Sequence, residues 1–403
     1  MKIGIIGGGA AGLVAAITAA EAGHQVTVLE HSSRIGKKIL LTGNGRCNLT
    51  NTDQDISHFH GGNPDFIQTV LHQCSYADTL SFFTRLGIYT KNKNGCLYPY
   101  SEQASAVLEV LRMKLRNLSA TILTDCQVKR LKKDTCFIAE TNLGQLQFDK
   151  LILATGSKAA EQTGSDGSGY ALAKAFGHTI VKPLPALVQL RSEASCFKQL
   201  AGIRTQAKLT LYCNDNPAGK EVGELQLTSY GLSGIPTFQL SHLASRALDN
   251  GQTVMMQIDF MPDMELPALT AYLKNRAANG PDKKAEELLI GVLHKNLSLL
   301  LVKLAGIKAD RRIDSFTEQE LFKVAKLMKQ FRVPVSGTNS FRDAQVCCGG
   351  VSSAEISTQL ESKLVKGLYF AGELIDVHGD CGGYNLQWAW SSGMAAGRIC
   401  TSD

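Results

Sequence analysis

The residues with the most chemical promise lie in LTGNGRCNLTN, residues 41–51, where two glycines, an arginine, a cysteine and three asparagines share one short stretch. Gly43 and Gly45 suit neither a helix nor a strand interior. The stretch therefore reads as a turn that brings bare backbone close to a ligand, with Gly45, Arg46, Cys47 and Asn48 at the point of approach. The plain alternative is a structural turn in which Arg46 pairs with a carboxylate. A second set lies near the far end, in HGDCGGYN, residues 378–385. A thiol, imidazole or phenol within hydrogen-bond reach can protonate a reacting carbon. A cysteine with a pKa of about 8.5 is mostly protonated at neutral pH. Cys47 ranks first as donor and His378 second, with Tyr384 and Cys381 behind them.

These groups need elements to hold them. The first thirty residues read strand 2–6, tight turn, helix 10–22, strand 25–30, a βαβ opening. Gly7, Gly9 and Gly12 form G-x-G-x-x-G between strand and helix, with Ala11 inside the turn. The first glycine allows the turn, the second admits a pyrophosphate to the backbone, and the third lets helix and strand pack closely. Glu30 ends the second strand, where a carboxylate accepts hydrogen bonds from ribose hydroxyls. An acid there disfavours a 2′-phosphate, leaving FAD or NAD rather than NADP at this site.

Later segments select FAD. Gly36, Lys37 and Lys38 in RIGKK stand where an extended cofactor's phosphates and ribityl run. Val128, in the short β-type runs around 120–148, joins the same set. LILATG, residues 151–156, is a buried strand ending in Ala154, Thr155 and Gly156; GLYFAGE, residues 367–373, ends in Gly372 and Glu373. GGYNLQWAWSSG then opens a helix at Gly383, Asn385 and Leu386, whose positive end suits a reduced flavin's developing charge.

At 403 residues, with 44% hydrophobic and 19% charged side chains, the chain has material for two or three domains. No apolar run is long enough for a membrane helix. The basic, apolar start resembles a signal peptide, but the glycine motif explains the same residues better, and Asn48, Asn117 and Asn296 then carry no glycosylation meaning. Eleven scattered cysteines without C-x-x-C or metal-ligand spacing fit a reducing cytoplasm and no metal site. Helical patterns are expected near 64–86 and 103–117. The expected architecture is α/β: a Rossmann-type FAD-binding domain from both chain ends (1–190 and 333–403). Its insert is a cap with a small β-barrel-like part (191–262) and a helical part (263–332). YGLSG, 230–234, suits either a cavity wall or a hairpin.

The combination of GKKILLTGNGRCNLTN, ATGSKAAEQTGSDGSGY, GELQLTSYGLSG, CCGGV and ESKLVKGLYFAGELIDVHGDCGGYNLQWAWSSG resembles the bacterial flavoprotein family labelled aminoacetone-oxidase-like, or NAD(P)/FAD-dependent oxidoreductase. The resemblance spans the chain and implies FAD with an inserted two-part cap. Activities in that family include oxidation of a small amine, reduction of double bonds in dehydro-bile acids and reduction of uridine in ribosomal RNA. The chain departs from the usual pattern at Ser157, at Ser168–Gly169–Tyr170 and at Cys347. The expected activity is NAD(P)H-driven reduction of an activated C=C bond in ribosomal RNA or an unsaturated small molecule. Amine oxidation and a non-catalytic flavin protein are the alternatives. No second G-x-G-x-x-G unit marks a site for NAD(P)H.

The net charge of +6 and pI near 8.7 add a partner question. Residues 265–332 hold thirteen Lys or Arg against eight Asp or Glu, an excess of five. A cationic cap suits a polyanion such as RNA, with Lys323, Lys326 and Lys329 on one helix. The plain alternative is a solvated helical surface.

Overall fold

The computed structural model describes residues 1–280 and 282–399, which divide into two compact units: Met1–Leu184 joined by the C-terminal segment from Ala344, and Pro185–Asp343. The first unit is built on a five-stranded parallel sheet in the order Leu368–Phe370, Lys150–Leu153, β1 (Lys2–Ile6), β2 (Gln25–Leu29), Thr121–Leu123. Ile5 of β1 aligns with Ile152 on one side and Val28 on the other, and Leu153 aligns with Phe370. Strands covered on both faces read as near-continuous apolar runs, which KIGII and KLIL do. Helix α1 (Ala10–Glu21) crosses between β1 and β2 and buries Leu13, Val14 and Ile17 completely. Burying each such side chain contributes about 1.5–3 kcal/mol.

The closing helix, Tyr384–Ile399, packs on α1 through small residues. A Cβ added at Gly393 would sit 2.5 Å from the Ala11 carbonyl oxygen, and one at Gly397 2.7 Å from that of Ala15. Backbones in such contact leave no room for larger side chains.

The expected helical stretch over 64–86 is two helices, Pro64–Gln73 and Tyr76–Arg85. Ser75 and Asp78 form a reciprocal capping box that starts the second. Smaller antiparallel pieces complete the unit: Val128–Lys133 with Phe137–Thr141 and Gly144–Phe148, Thr50–Asn51 with Cys96–Pro99 and Thr90–Lys93, and Phe59–Gly61 with Val377–Gly379.

The second unit carries an antiparallel sheet of seven strands, whose long pair is Arg204–Cys213 with Asn216–Thr228. YGLSG contributes the strand Gly231–Ser233 to this sheet. A fifteen-residue helix, Ile235–Asp249, lies against it, a helix the sequence does not announce. Three further helices, Leu266–Ala278, Lys295–Leu304 and Glu318–Lys329, share one core with the sheet, where Leu273, Leu301 and Val324 join Leu209, Met256 and Ile258.

Candidate functional site

Parallel strands align their carboxyl ends, so the segments after β1, Lys150–Leu153 and Leu368–Phe370 emerge at one edge of the sheet. Gly7, Ala154–Gly156 and Gly372–Glu373 occupy that edge, where open α/β sheets bind ligands. Gly7 has φ of 106°, and a Cβ there would lie 2.4 Å from the Ala154 carbonyl oxygen. A Cβ at Gly12 would lie 1.9 Å from the Gly7 carbonyl oxygen. Both glycines are therefore demanded by the fold. Gly9 is different: a Cβ there meets no heavy atom within 4 Å. Space stands open over the first turn of α1, where backbone N–H groups and the helix dipole attract an anion.

Glu30 sits half-buried beside this turn, its carboxylate accepting from the N–H groups of Gly8 and Ser32, each at 2.8 Å. Two of its lone-pair sites are used, which leaves acceptor capacity for hydroxyl donors. Gly36 starts the short helix Lys37–Leu41 from a left-handed conformation, packed against Leu108. Lys38 reaches across 335 residues to the Glu373 carboxylate at 2.6 Å, and the Ser157 hydroxyl donates to the same oxygen at 3.1 Å. The two sequence-predicted ligands Lys38 and Glu373 thus neutralise each other, with Ser157 as their third member.

The turn over 42–48 has an unusual backbone. Gly43, Asn44, Gly45 and Cys47 all have positive φ, and for Asn44 and Cys47 that conformation costs energy. Arg46 is exposed and faces Glu102 at 3.8 Å, which places it in an ion pair. Cys47 is fully buried, and burial pushes its thiol up to about 12, against a lowering hydrogen bond with Thr42. Asn48 Oδ1 and Thr155 Oγ1 are buried acceptors without a hydrogen-bond partner among the described residues. Such atoms are costly unless something binds them.

Much of the closing motif serves the fold. Trp388 Nε1 donates to the Gly372 carbonyl at 3.1 Å and Trp390 Nε1 to that of Leu49 at 3.0 Å. Gln387 accepts from Thr50 at 2.6 Å and donates to Thr79 at 2.9 Å. One helix therefore pins the Gly372 turn and the 42–51 loop together. Gly383 packs on the Thr50 backbone, and Leu386 is half-buried. Asn385 exchanges two hydrogen bonds with the Gly379 backbone, at 2.8 and 2.7 Å, bracing the entry to the helix.

Just before that helix lies a cluster that sequence reasoning only half found. His378 is buried and aligned with His60 across the antiparallel pair, ring centroids 5.3 Å apart. Asp380 receives His60 Nε2 at 2.8 Å and His58 Nδ1 at 3.0 Å, while His58 Nε2 lies 3.2 Å from Asp53. Burial works to raise the Asp380 carboxyl, but the bonds from His60 and His58 outweigh it and hold the group below its ordinary value. Burial likewise opposes charge on His58, and its bonds to Asp380 and Asp53 overcome that and raise it. Tyr384 is buried and stacks on His58 at 4.3 Å and 18°, with its phenol pushed up chiefly by burial. The missed residues are His58 and His60. Their signal was the spacing in HFH, which sets one imidazole at the end of the turn Ile56–His58 and the next inside the strand Phe59–Gly61.

Ala11 is buried within α1, and Val128 opens the edge strand Val128–Lys133, half-buried. A distinct surface feature is the hairpin of Thr90–Lys93 and Cys96–Pro99. Tyr89 and Tyr100 are 76% and 63% exposed with rings 5.5 Å apart, and Lys91, Lys93 and Arg46 converge on Glu102.

The sheet, the glycine turn and the acid at the end of β2 define a Rossmann-type α/β protein with an added antiparallel sheet and helical parts. The chain belongs to the HI0933-like family, whose Rossmann domain it matches over residues 1–399. It is 43% identical over 401 residues to a 3-dehydro-bile acid Δ(4,6)-reductase of Clostridium scindens, covering 98% of each chain. It is 32% identical to a ribosomal RNA dihydrouridine synthase of Haemophilus influenzae, covering 97% of this chain and 96% of that one. A ribosomal RNA dihydrouridine synthase of Escherichia coli is 29% identical, with 98% and 96% covered. Among the described residues no helix is long and apolar enough to cross a membrane.

Proposed function

We propose that this protein binds FAD along the carboxyl edge of its parallel sheet and reduces a carbon–carbon double bond conjugated to a carbonyl, drawing reducing equivalents from NAD(P)H. The observation that carries the reading is the 43% identity, end to end, with a reductase named for a 3-dehydro-bile acid. The residues present fit the cofactor: open space at Gly9, acceptor capacity on Glu30, and two orphaned buried acceptors at Asn48 and Thr155.

FAD, when bound, supplies hydride chemistry. The chain's own residues supply the rest. First-turn N–H groups of α1 receive the pyrophosphate, and Glu30 takes ribose hydroxyls. The Lys38–Glu373 pair and Ser157 fix the second turn, and the N-terminus of the closing helix presents positive potential from Gly383 onward. Cys47 keeps its proton at neutral pH, and a thiol held near 12 is poorly matched to proton donation there.

A second reading, reduction of the C5=C6 bond of uridine in RNA, draws on the exposed Tyr89–Tyr100 pair flanked by cations. Bases stack on such rings while phosphates meet the cations. Uracil and a 3-oxo-Δ4,6 bile acid share a C=C bond conjugated to C=O, so one site chemistry serves either. Anaerobic mixing of the flavin-loaded protein with NADH or NADPH, followed by a 3-oxo-Δ4,6 bile acid or a uridine-rich RNA, tests both. Flavin bleaching by the nicotinamide and recovery on adding one acceptor is the expected result. A protein that takes up no FAD removes the proposal, and reduction by aminoacetone with reoxidation by oxygen replaces it with amine oxidation.

A further inference from the structure

We propose that the Tyr170 hydroxyl is a cofactor-positioning group at the carboxyl edge of the sheet, donating a hydrogen bond to an acceptor oxygen on the flavin half of FAD. The assignment rests on the FAD reading above and extends it to a residue outside both the glycine turn and the closing helix.

Tyr170 lies in the first turn of the helix Ser168–Ala175. Gly167, left-handed at φ 77°, and Asp166, which accepts from the Ser168 N–H at 2.9 Å, set the start of that helix. The helix rests on the turn after Lys150–Leu153, so closely that a Cβ at Gly169 would lie 1.8 Å from Thr155 Oγ1. The Tyr170 ring packs against the core of the first unit. Its hydroxyl is buried and has no hydrogen-bond partner among the described residues, and the same holds for Thr155 Oγ1. Two unmatched hydroxyls therefore belong to one helix–turn contact. A buried tyrosine ordinarily finds a partner for its O–H, and an unmatched one is costly.

The phenol can act only as a donor. Burial first, then the neighbouring Cys347, Glu373 and Asp376, push it well above its ordinary value, so it keeps its proton. Glu373 is already held by Lys38 and Ser157, and the Cys347 thiol by Ser157 and the Lys158 N–H. The acceptor must arrive with a ligand. Position selects which half of the cofactor brings it. Strands β2 and Leu368–Phe370 lie on opposite sides of β1. Glu30, after β2, takes the adenosine ribose in the proposed reading, which leaves the side of Glu373 for the ribityl chain and ring. Tyr170 faces Glu373.

The test compares wild type and Tyr170→Phe. Phenylalanine keeps the ring and removes an unpaired donor from the interior, so the variant apoprotein should melt at or above the wild-type temperature. Its affinity for FAD, read by quenching of flavin fluorescence, should fall about three- to tenfold, as expected for one hydrogen bond between uncharged groups. Glu30→Gln acts at the other end of the cofactor, so in the double variant the two fold-losses should multiply. A Tyr170→Phe protein that binds FAD as tightly as wild type overturns the contact. Apoprotein that melts clearly below wild type shows that the hydroxyl has a partner within the fold, and overturns the assignment. A double variant that binds no more weakly than the weaker single variant overturns the placement on the flavin half. Wild type that takes up no FAD removes the reading beneath the proposal, and is told apart because the melting comparison of the two apoproteins still stands.

Discussion

Replacing Gly9 by alanine separates what the fold requires from what the ligand requires. A Cβ at this position meets nothing within 4 Å, and the backbone angles, φ −86° and ψ −168°, suit any residue. Alanine restricts the unfolded chain, which stabilises by about 0.4–1 kcal/mol. It is also a poorer helix N-cap than glycine, which costs roughly 0.5–1 kcal/mol. The net change in folding stability is therefore within about 1 kcal/mol of zero. Under the proposed FAD placement the methyl group would stand where the pyrophosphate approaches. Losing two charge-assisted hydrogen bonds costs about 3–6 kcal/mol. At about 1.4 kcal/mol per factor of ten, FAD binding weakens by roughly 10²- to 10⁴-fold. Titration of apoprotein with FAD, followed by quenching of flavin fluorescence, reads the affinity, and thermal melting reads the fold. Gly12→Ala is the contrast: its Cβ would stand 1.9 Å from a backbone oxygen, so that protein should melt far lower or not fold. A Gly9→Ala protein that binds FAD as tightly as wild type would refute the placement of the pyrophosphate.

Four further outcomes are expected. Glu373→Gln removes the charge that receives Lys38 and Ser157, lowering stability by about 1–2 kcal/mol in urea denaturation of the apoprotein, the partial exposure of the pair moderating the loss. Lys329 donates to Met261 and Met264 carbonyls at 2.8 and 2.7 Å and pairs with Asp259 at 2.7 Å, so Lys329→Ala should cost about 3 kcal/mol while Lys323→Ala and Lys326→Ala stay within about 0.5 kcal/mol. The Asp380–His58 pair gives a pH window. The lowered carboxyl stabilises above its unfolded pKa of about 4 and loses this as pH falls, while the raised imidazole stabilises below about 6.5 and loses this as pH rises through its folded value. Wild type minus Asp380→Asn should therefore differ most between those limits in denaturation series across pH. Under the RNA reading, Tyr89→Ala with Tyr100→Ala should leave stability unchanged and weaken retention of uridine-rich RNA by at least about tenfold, since a stacked base is worth roughly 1–3 kcal/mol.

The βαβ opening was legible because glycine spacing, apolar strands and a terminal acid are all local signals. The break at Ser75 was missed because apolar periodicity runs through it while the capping box depends on two polar side chains. Helix Ile235–Asp249 was hidden for a related reason. Its buried face carries Thr237, Ser241 and Ser245, each bonded to a carbonyl, so the apolar stripe is weak. At the site, residue types marked segments but not the partners each would meet. Lys38 with Glu373, and His58 with Asp380, are joined over more than 300 positions, and nothing in either segment names the other. Part of the cationic count in residues 265–332 is held within the fold, where Lys329, Arg311 and Arg276 meet Asp259, Glu320 and the carbonyls of Leu288 and Ile290.

The placement of strand Leu368–Phe370 beside Lys150–Leu153 sets a timetable for the newborn chain. The ribosome must make all of Pro185–Asp343 before that outer strand, and the tryptophan-bearing helix comes later still. Until then the surface of α1 around Ala11 and Ala15 has no cover, and such bare apolar surface invites chaperones and aggregation. Under the proposed FAD reading, cofactor uptake waits for the same segment, because Gly372 and Glu373 are made only after the whole of the second unit. Chains cut before Leu368 should then be insoluble rather than merely weak.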